Sequence, residues 1–149
     1  MIFSKENPWY EKKLLSIDYG EKFTGLAKFH IGRDPFPHPY GRLVETNQPS
    51  LFHLLRKVVE EEEIDTIILG VPTLLDGQET TMTKKVRQFG CALTEYFHPI
   101  PVHLQDETLS TFEAKERMKN SPRYNFKICL EEVDALAATI ILEDFLTSL

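Results

Sequence analysis

Apolar residues in this chain follow two rhythms, a strand-like run or alternation and a helical stripe of period 3.6. Leu14-Leu15-Ser16-Ile17-Asp18 is a short apolar run ending in an acid and predicts a buried strand. Residues 19–22 predict a tight turn, and Thr24-Gly25-Leu26-Ala27-Lys28-Phe29 a returning strand. Pro35, Pro37 and Pro39 predict a loop over 32–41, with a third strand near 42–45. Pro49-Ser50 predicts a helix start with Ser50 as N-cap, and Leu51, Leu54, Leu55, Val58 and Val59 recur at helical spacing. Residues 60–63, all glutamate, end that helix on a solvated face. Thr66-Ile67-Ile68-Leu69 is too apolar and β-branched for a surface strand, so it predicts a central parallel one, ended by Gly70-Val71-Pro72. A helix over about 80–96 and a strand over 101–105 follow, the strand running into Asp106-Glu107. Ser110 or Thr111 opens a further helix through about Met118, residues 120–125 read as mobile, and a last helix covers about 131–149.

The order is β-β-β-α-β-α-β-α-α. A three-strand meander followed by alternating elements predicts one α/β domain over 1–149, a mixed five-stranded sheet flanked by helices. This is the order expected of a ribonuclease-H-like fold. Residues 1–12 are expected as a flexible N-terminal extension.

The chain has 149 residues, a normal size for one domain. No apolar run approaches the ~20 residues of a membrane span. Cys91 and Cys129 lie far apart without metal-ligand spacing and predict buried thiols in a reducing compartment, hence a cytoplasmic protein with no membrane partner. The net charge of −6 argues mildly against a nucleic-acid binder. A nuclease site is itself acidic until its metals arrive, however, and local basic patches survive a negative total. Lys84, Lys85 and Arg87 form one such patch, and Lys115, Arg117, Lys119, Arg123 and Lys127 another.

Three segments carry candidate chemistry. Asp18 ends a buried strand, where a carboxylate needs water, hydrogen bonds or a metal; a turn-forming aspartate before glycine is the plainer alternative. Asp106 and Glu107 also follow an apolar strand. Adjacent residues point different ways, so one of the two faces the site, and the whole stretch reads equally as a strand-to-helix connection in which Ser110 and Glu113 make a capping box. Asp134 sits in the nearly uniform apolar run 133–142, where Ala135, Ala137 and Ala138 permit close packing on a sheet; the alternative is an aspartate stabilised by a helix start. Jointly, Asp18, Glu107 or Asp106, and Asp134 describe one catalytic device. Asp18, Asp134 and the middle acid, Glu107 or Asp106, would hold Mg²⁺ or Mn²⁺, which prefer oxygen ligands. Two such ions ~4 Å apart activate water and stabilise the leaving oxygen of a phosphodiester. Gly20, Lys22, Pro72, Asp76, Gly77 and Thr111 are expected to contact substrate around that site. The five histidines are scattered, and no Walker A or GxGxxG sequence is present.

These residues resemble the YqgF/RuvX family of Holliday-junction-resolvase-like proteins, which are associated with pre-16S rRNA nuclease activity. Four blocks carry the resemblance, in the family's order. They are Ile17-Asp18-Tyr19-Gly20 with Gly25-Leu26-Ala27; Leu69-Gly70-Val71-Pro72 with Asp76-Gly77; 105–111 with Glu113-Ala114; and 133–138 with Ile141-Leu142. The resemblance implies a ribonuclease-H-like fold and a metal-dependent nuclease in 5′ maturation of 16S ribosomal RNA. By motif position it implies acidic site residues at Asp18, at Glu107 or Asp106, and at Asp134. The partners implied are structured pre-rRNA or branched DNA and a pre-ribosomal particle, with the chain a monomer or weak homodimer. Three departures remove positive charge. Lys22-Phe23-Thr24 lacks an arginine, Thr108 stands where the family has one, and Glu131-Glu132 precede the last aspartate where lysine is usual. They motivate the competing reading of a non-catalytic RNA-binding module. A phosphotransferase of related fold would need two copies of the fold and a further phosphate loop.

Overall fold

The computed structural model describes residues 4–108 and 110–149. In chain order the elements are β1 (Lys13–Asp18), β2 (Thr24–His30), β3 (His38–Leu43), α1 (Gln48–Glu61), β4 (Thr66–Pro72), α2 (Thr81–Phe97), β5 (Val102–Glu107), α3 (Ser110–Lys119), a 3₁₀ turn (Pro122–Tyr124) and α4 (Leu130–Thr147). The five strands form one sheet in the order β3-β2-β1-β4-β5. The meander β1-β2-β3 is antiparallel, and β4 and β5 add parallel to β1. This is the mixed sheet that the element order predicts.

Period-two alternation sorts the sheet's side chains. Leu15, Ile17, Leu26, Ile67, Leu69 and Val71 face α1 and α2, joining Leu51, Leu55, Val86, Phe89 and Leu93 in the larger core. Leu14, Ala27, Phe29 and Ile68 face α4, packing on Ala138, Ile141, Leu142 and Phe145. Helix α3 covers the far side of α4 through Ala114 and Met118, against Val133, Leu136, Ala137 and Ile140. Lying between sheet and helix, α4 is apolar nearly all round.

Four local differences from the sequence expectations have physical causes. Strand β3 begins at His38 inside the proline-rich stretch expected as loop. Pro39 lacks an N–H but lies on an edge strand, where none is required. Helix α1 is capped by Asn47, whose Oδ1 accepts from Ser50 N–H at 3.1 Å; Ser50 is thus already helical. Residues 120–125, expected as mobile, form a hydrogen-bonded turn capped by Ser121 and closed by Asn125 in the left-handed region. Of the expected N-terminal extension, residues 4–12 are docked: Trp9 meets Phe145 and His103, and Glu11 N–H donates to the Ile31 carbonyl. Residues 1–3 lie outside the described part. The capping box expected at the start of α3 adjoins residue 109, also outside it. Cys91 is exposed and Cys129 half-buried, so neither is the buried thiol expected. No helix among the described residues is long and apolar enough to cross a membrane.

Candidate functional site

The face of the sheet that meets α4 also carries the acids. In β1 the residues on this face are Leu14, Ser16 and Asp18, so alternation delivers Asp18 to the strand's C-terminal end. In β5 the partner of Pro72 is Glu107 and the partner of Val71 is Asp106. Val71 belongs to the opposite core, so Asp106 turns away and is exposed, whereas Glu107 turns toward α4 and is buried. Strand register thus distinguishes the two adjacent acids that the sequence leaves equivalent.

Asp134 arrives on the second turn of α4, which lies unusually close to the sheet. A Cβ on Gly25 would fall 1.9 Å from the Asp134 carbonyl oxygen, and one on Gly70 would fall 2.3 Å from Ile141 Cδ1. Ser16 completes the seam, its hydroxyl donating to the Ala138 carbonyl at 2.6 Å. Only small residues on the sheet allow this approach. Asp18 lies directly opposite Gly25 in the ladder, so the contact sets the start of α4 beside the end of β1.

The electrostatics are those of crowded carboxylates. Burial, and then the charge of Asp134, push the Asp18 carboxyl up to about 7. Burial pushes Glu107 up to about 9, helped by a hydrogen bond to Asp144 and by the charges of Asp144, Glu113 and Asp18. Glu107 Oε1 has no hydrogen-bond partner among the described residues, a costly state for a buried oxygen. Both carboxyls thus stand above the ordinary carboxylate range, chiefly because they are buried and then because other acids face them. The donor set is all oxygen and suits a hard divalent ion, and the orphaned Oε1 gives such an ion an open ligand. The set is not closed, however. Among the described residues no three His, Cys, Asp or Glu side chains stand together as a group that could hold one ion.

The expected substrate contacts divide into two groups. Gly20 forms the turn after Asp18, where a Cβ would lie 2.5 Å from the Phe23 carbonyl oxygen, and Pro72 lies beside Glu107. Lys22, Asp76, Gly77 and Thr111 are exposed on loops or a helix start, where the structure shows no contact to the acids among the described residues. Asp76 Oδ1 accepts from Gln78 N–H, and Gly77 has φ +81°, so these two build a turn. Much of the basic patches is neutralised locally: Lys85 pairs with Glu21, Arg87 with Glu79, Lys119 with Glu116, and Arg117 with Glu113 and Glu143. Two residues of the site were not anticipated. Asp144 looks like an ordinary acid on the last turns of a helix, and only the fold brings it to Glu107. Arg42 reaches Asp134, its Nη1 3.8 Å from Oδ2, and nothing in its sequence neighbourhood marks it.

Comparison with known proteins identifies the family and the fold. Residues 12–148 match the family model RuvX, described as Holliday junction resolvase. A protein of Maridesulfovibrio salexigens named "Putative pre-16S rRNA nuclease" is 37% identical over 137 residues, covering 90% of this chain and 97% of the relative. One of the same name from Koribacter versatilis is 32% identical over 145 residues, covering 95% and 91%. Among solved structures, Thermus thermophilus RuvC in complex with a Holliday junction aligns with a TM-score of 0.57 at 10% identity, over 92% of this chain and 96% of that one. The Fowlpox virus resolvase, solved with Holliday junction DNA, aligns at 0.55 and 10% identity, over 91% and 97%. These two likenesses show the fold, which is the ribonuclease-H-like one that the element order predicts. With its four motif blocks in order and a family match over nearly its whole length, the chain belongs to the RuvX family.

Proposed function

We propose that this protein is a divalent-metal-dependent endonuclease that hydrolyses phosphodiester bonds in structured precursor ribosomal RNA, with Asp18, Glu107 and Asp134 holding Mg²⁺ or Mn²⁺. The observation that carries the proposal is the convergence of three acids from distant segments on one face, where burial and mutual charge raise Asp18 and Glu107 above the ordinary carboxylate range. The relatives' name supplies the substrate class. When bound, a divalent ion at these oxygens supplies charge neutralisation and a more acidic water for attack on phosphorus. Asp18 and Glu107 give up their protons to receive it, so loading strengthens as pH rises. Asp106 faces away, which leaves Glu107 as the middle acid. Gly20 and Pro72 shape the backbone beside the acids. The setting proposed is the cytoplasm and a pre-ribosomal particle, with the chain acting as a monomer or weak homodimer.

The test is cleavage of a precursor 16S RNA segment in Mg²⁺ or Mn²⁺ by the full chain. Asp18→Asn and Asp134→Asn should each abolish cleavage while circular dichroism stays native. Undiminished cleavage in both variants would sink the proposal, and RNA binding without metal-stimulated cleavage by the unmodified chain would favour a non-catalytic module. The family's description also favours branched DNA as a second substrate reading. A four-way junction assayed beside the RNA decides between them.

A further inference from the structure

Among the described residues, an arginine from the edge of the sheet reaches the acidic cluster. Asp18, Gly25 and Arg42 lie side by side across β1, β2 and β3, because Gly25 pairs with both of the others. Residues opposite one another in an antiparallel ladder share a face. Arg42 therefore stands on the α4 face, one strand beyond the glycine on which Asp134 rests.

Its guanidinium is held in place. The Arg42 Cζ lies 3.9 Å from the centroid of the Phe23 ring, a close cation–π contact. Its Nη1 is 3.8 Å from Asp134 Oδ2, near enough for attraction and too far for a hydrogen bond. The side chain is only 24% exposed. Among the described residues no acceptor takes a hydrogen bond from any of its five N–H donors. Ring and carboxylate thus hold the group in place, with part of it facing solvent. A partly exposed guanidinium held in this way, at the rim of the acidic cluster, presents a planar fork of donors that matches a phosphate oxygen pair.

We propose that Arg42, presented on the Phe23 ring, is a phosphate-binding residue of this site and donates to a non-bridging oxygen of the substrate backbone. The proposal rests on the nuclease reading above. It also explains how a chain without an arginine at residues 22–24 keeps positive charge there: Phe23 serves as the platform, and the neighbouring strand brings the cation. Arg42 leans on Asp134, and a substrate phosphate would give its guanidinium a further partner.

The test is binding by the full chain carrying Asp18→Asn, with and without Arg42→Gln, to a stem-loop RNA and a four-way DNA junction between about 50 and 200 mM salt. Losing one phosphate contact should weaken binding about tenfold and lower the slope of log affinity against log salt by about 0.7–0.9. Phe23→Leu, which keeps apolar bulk without the ring, should produce part of the affinity loss. In the chain with Asp18 intact, Arg42→Gln should raise KM more than it lowers kcat. An unchanged salt slope with a lowered melting temperature would overturn the proposal and leave Arg42 as a structural partner of Asp134. If the Asp18→Asn chain with Arg42 intact binds neither probe, the nuclease reading itself fails and the assignment falls with it.

Discussion

The sheet presents large aliphatic side chains to α1 and α2, but glycine, serine and charged residues interrupt those it presents to α4. On the first face Leu15, Ile17, Leu69 and Val71 interlock with two amphipathic helices, and each contributes mainly by leaving water. On the second, Gly25, Gly70 and Ser16 contribute little burial of their own. Their smallness brings α4 close enough to set Asp134 beside Asp18. One face supplies stability, and the other gives up some packing and accepts crowded acids to place a site. Strained or destabilising features concentrate where function needs them.

That contrast can be broken in a graded way. The largest effect should come from Asp18→Asn, with cleavage falling about a thousandfold, or about 4 kcal/mol of barrier, and the melting temperature of the metal-free protein unchanged or raised. A melting temperature well below that of the parent would place Asp18 among the stabilising residues and erase the distinction. On the opposite face, Leu55→Ala should cost about 2–5 kcal/mol by denaturant unfolding, with kcat per folded molecule retained. Gly25→Ala should cost about 1–3 kcal/mol by overpacking. Its activity loss should far exceed its stability loss, because the added methyl displaces the backbone of Asp134.

The next effect depends on pH. Asp18 and Glu107 keep protons in the folded state, up to about pH 7 and 9, that they release near 3.8 and 4.5 when unfolded. Their contribution to stability is complete below about pH 4 and is lost as pH rises through those folded values. Metal-free protein should therefore melt progressively lower from pH 5 to 9, and added Mg²⁺ should recover most of the loss at pH 8. A flat profile, or one that Glu107→Gln leaves unchanged, would show that the acids do not burden the fold. Smallest is Ser16→Ala, about 1 kcal/mol for one buried hydrogen bond, read by chemical denaturation.

Periodicity carried most of the fold. The apolar run at 14–17 and the nearly all-apolar helix from Leu130 marked a buried strand and a buried helix, and with them Asp18 and Asp134. Proline misled at β3, because the rule against proline in strands does not hold for an edge, and which strand is an edge is a property of the assembled sheet. The choice between Asp106 and Glu107 was closed to sequence for a related reason. Neighbours in a strand differ only by face, and face was settled by pairing with β4, more than thirty residues earlier. Arg42 and Asp144 were invisible because each acts through a residue distant in the chain.

The docking of α4 also governs when the site can exist. Asp18 belongs to the first strand and Asp134 to the last helix, with every other strand between them. During synthesis the strands that carry Asp18 and Glu107 are made before the helix that covers them has been translated. Their chemistry must wait for a long-range contact, the slowest kind to form. A chain in which α4 is not docked would lack that contact, and with it the cluster proposed as the site. The seam of small residues under α4 therefore ties the proposed acidic cluster to the docking of that helix.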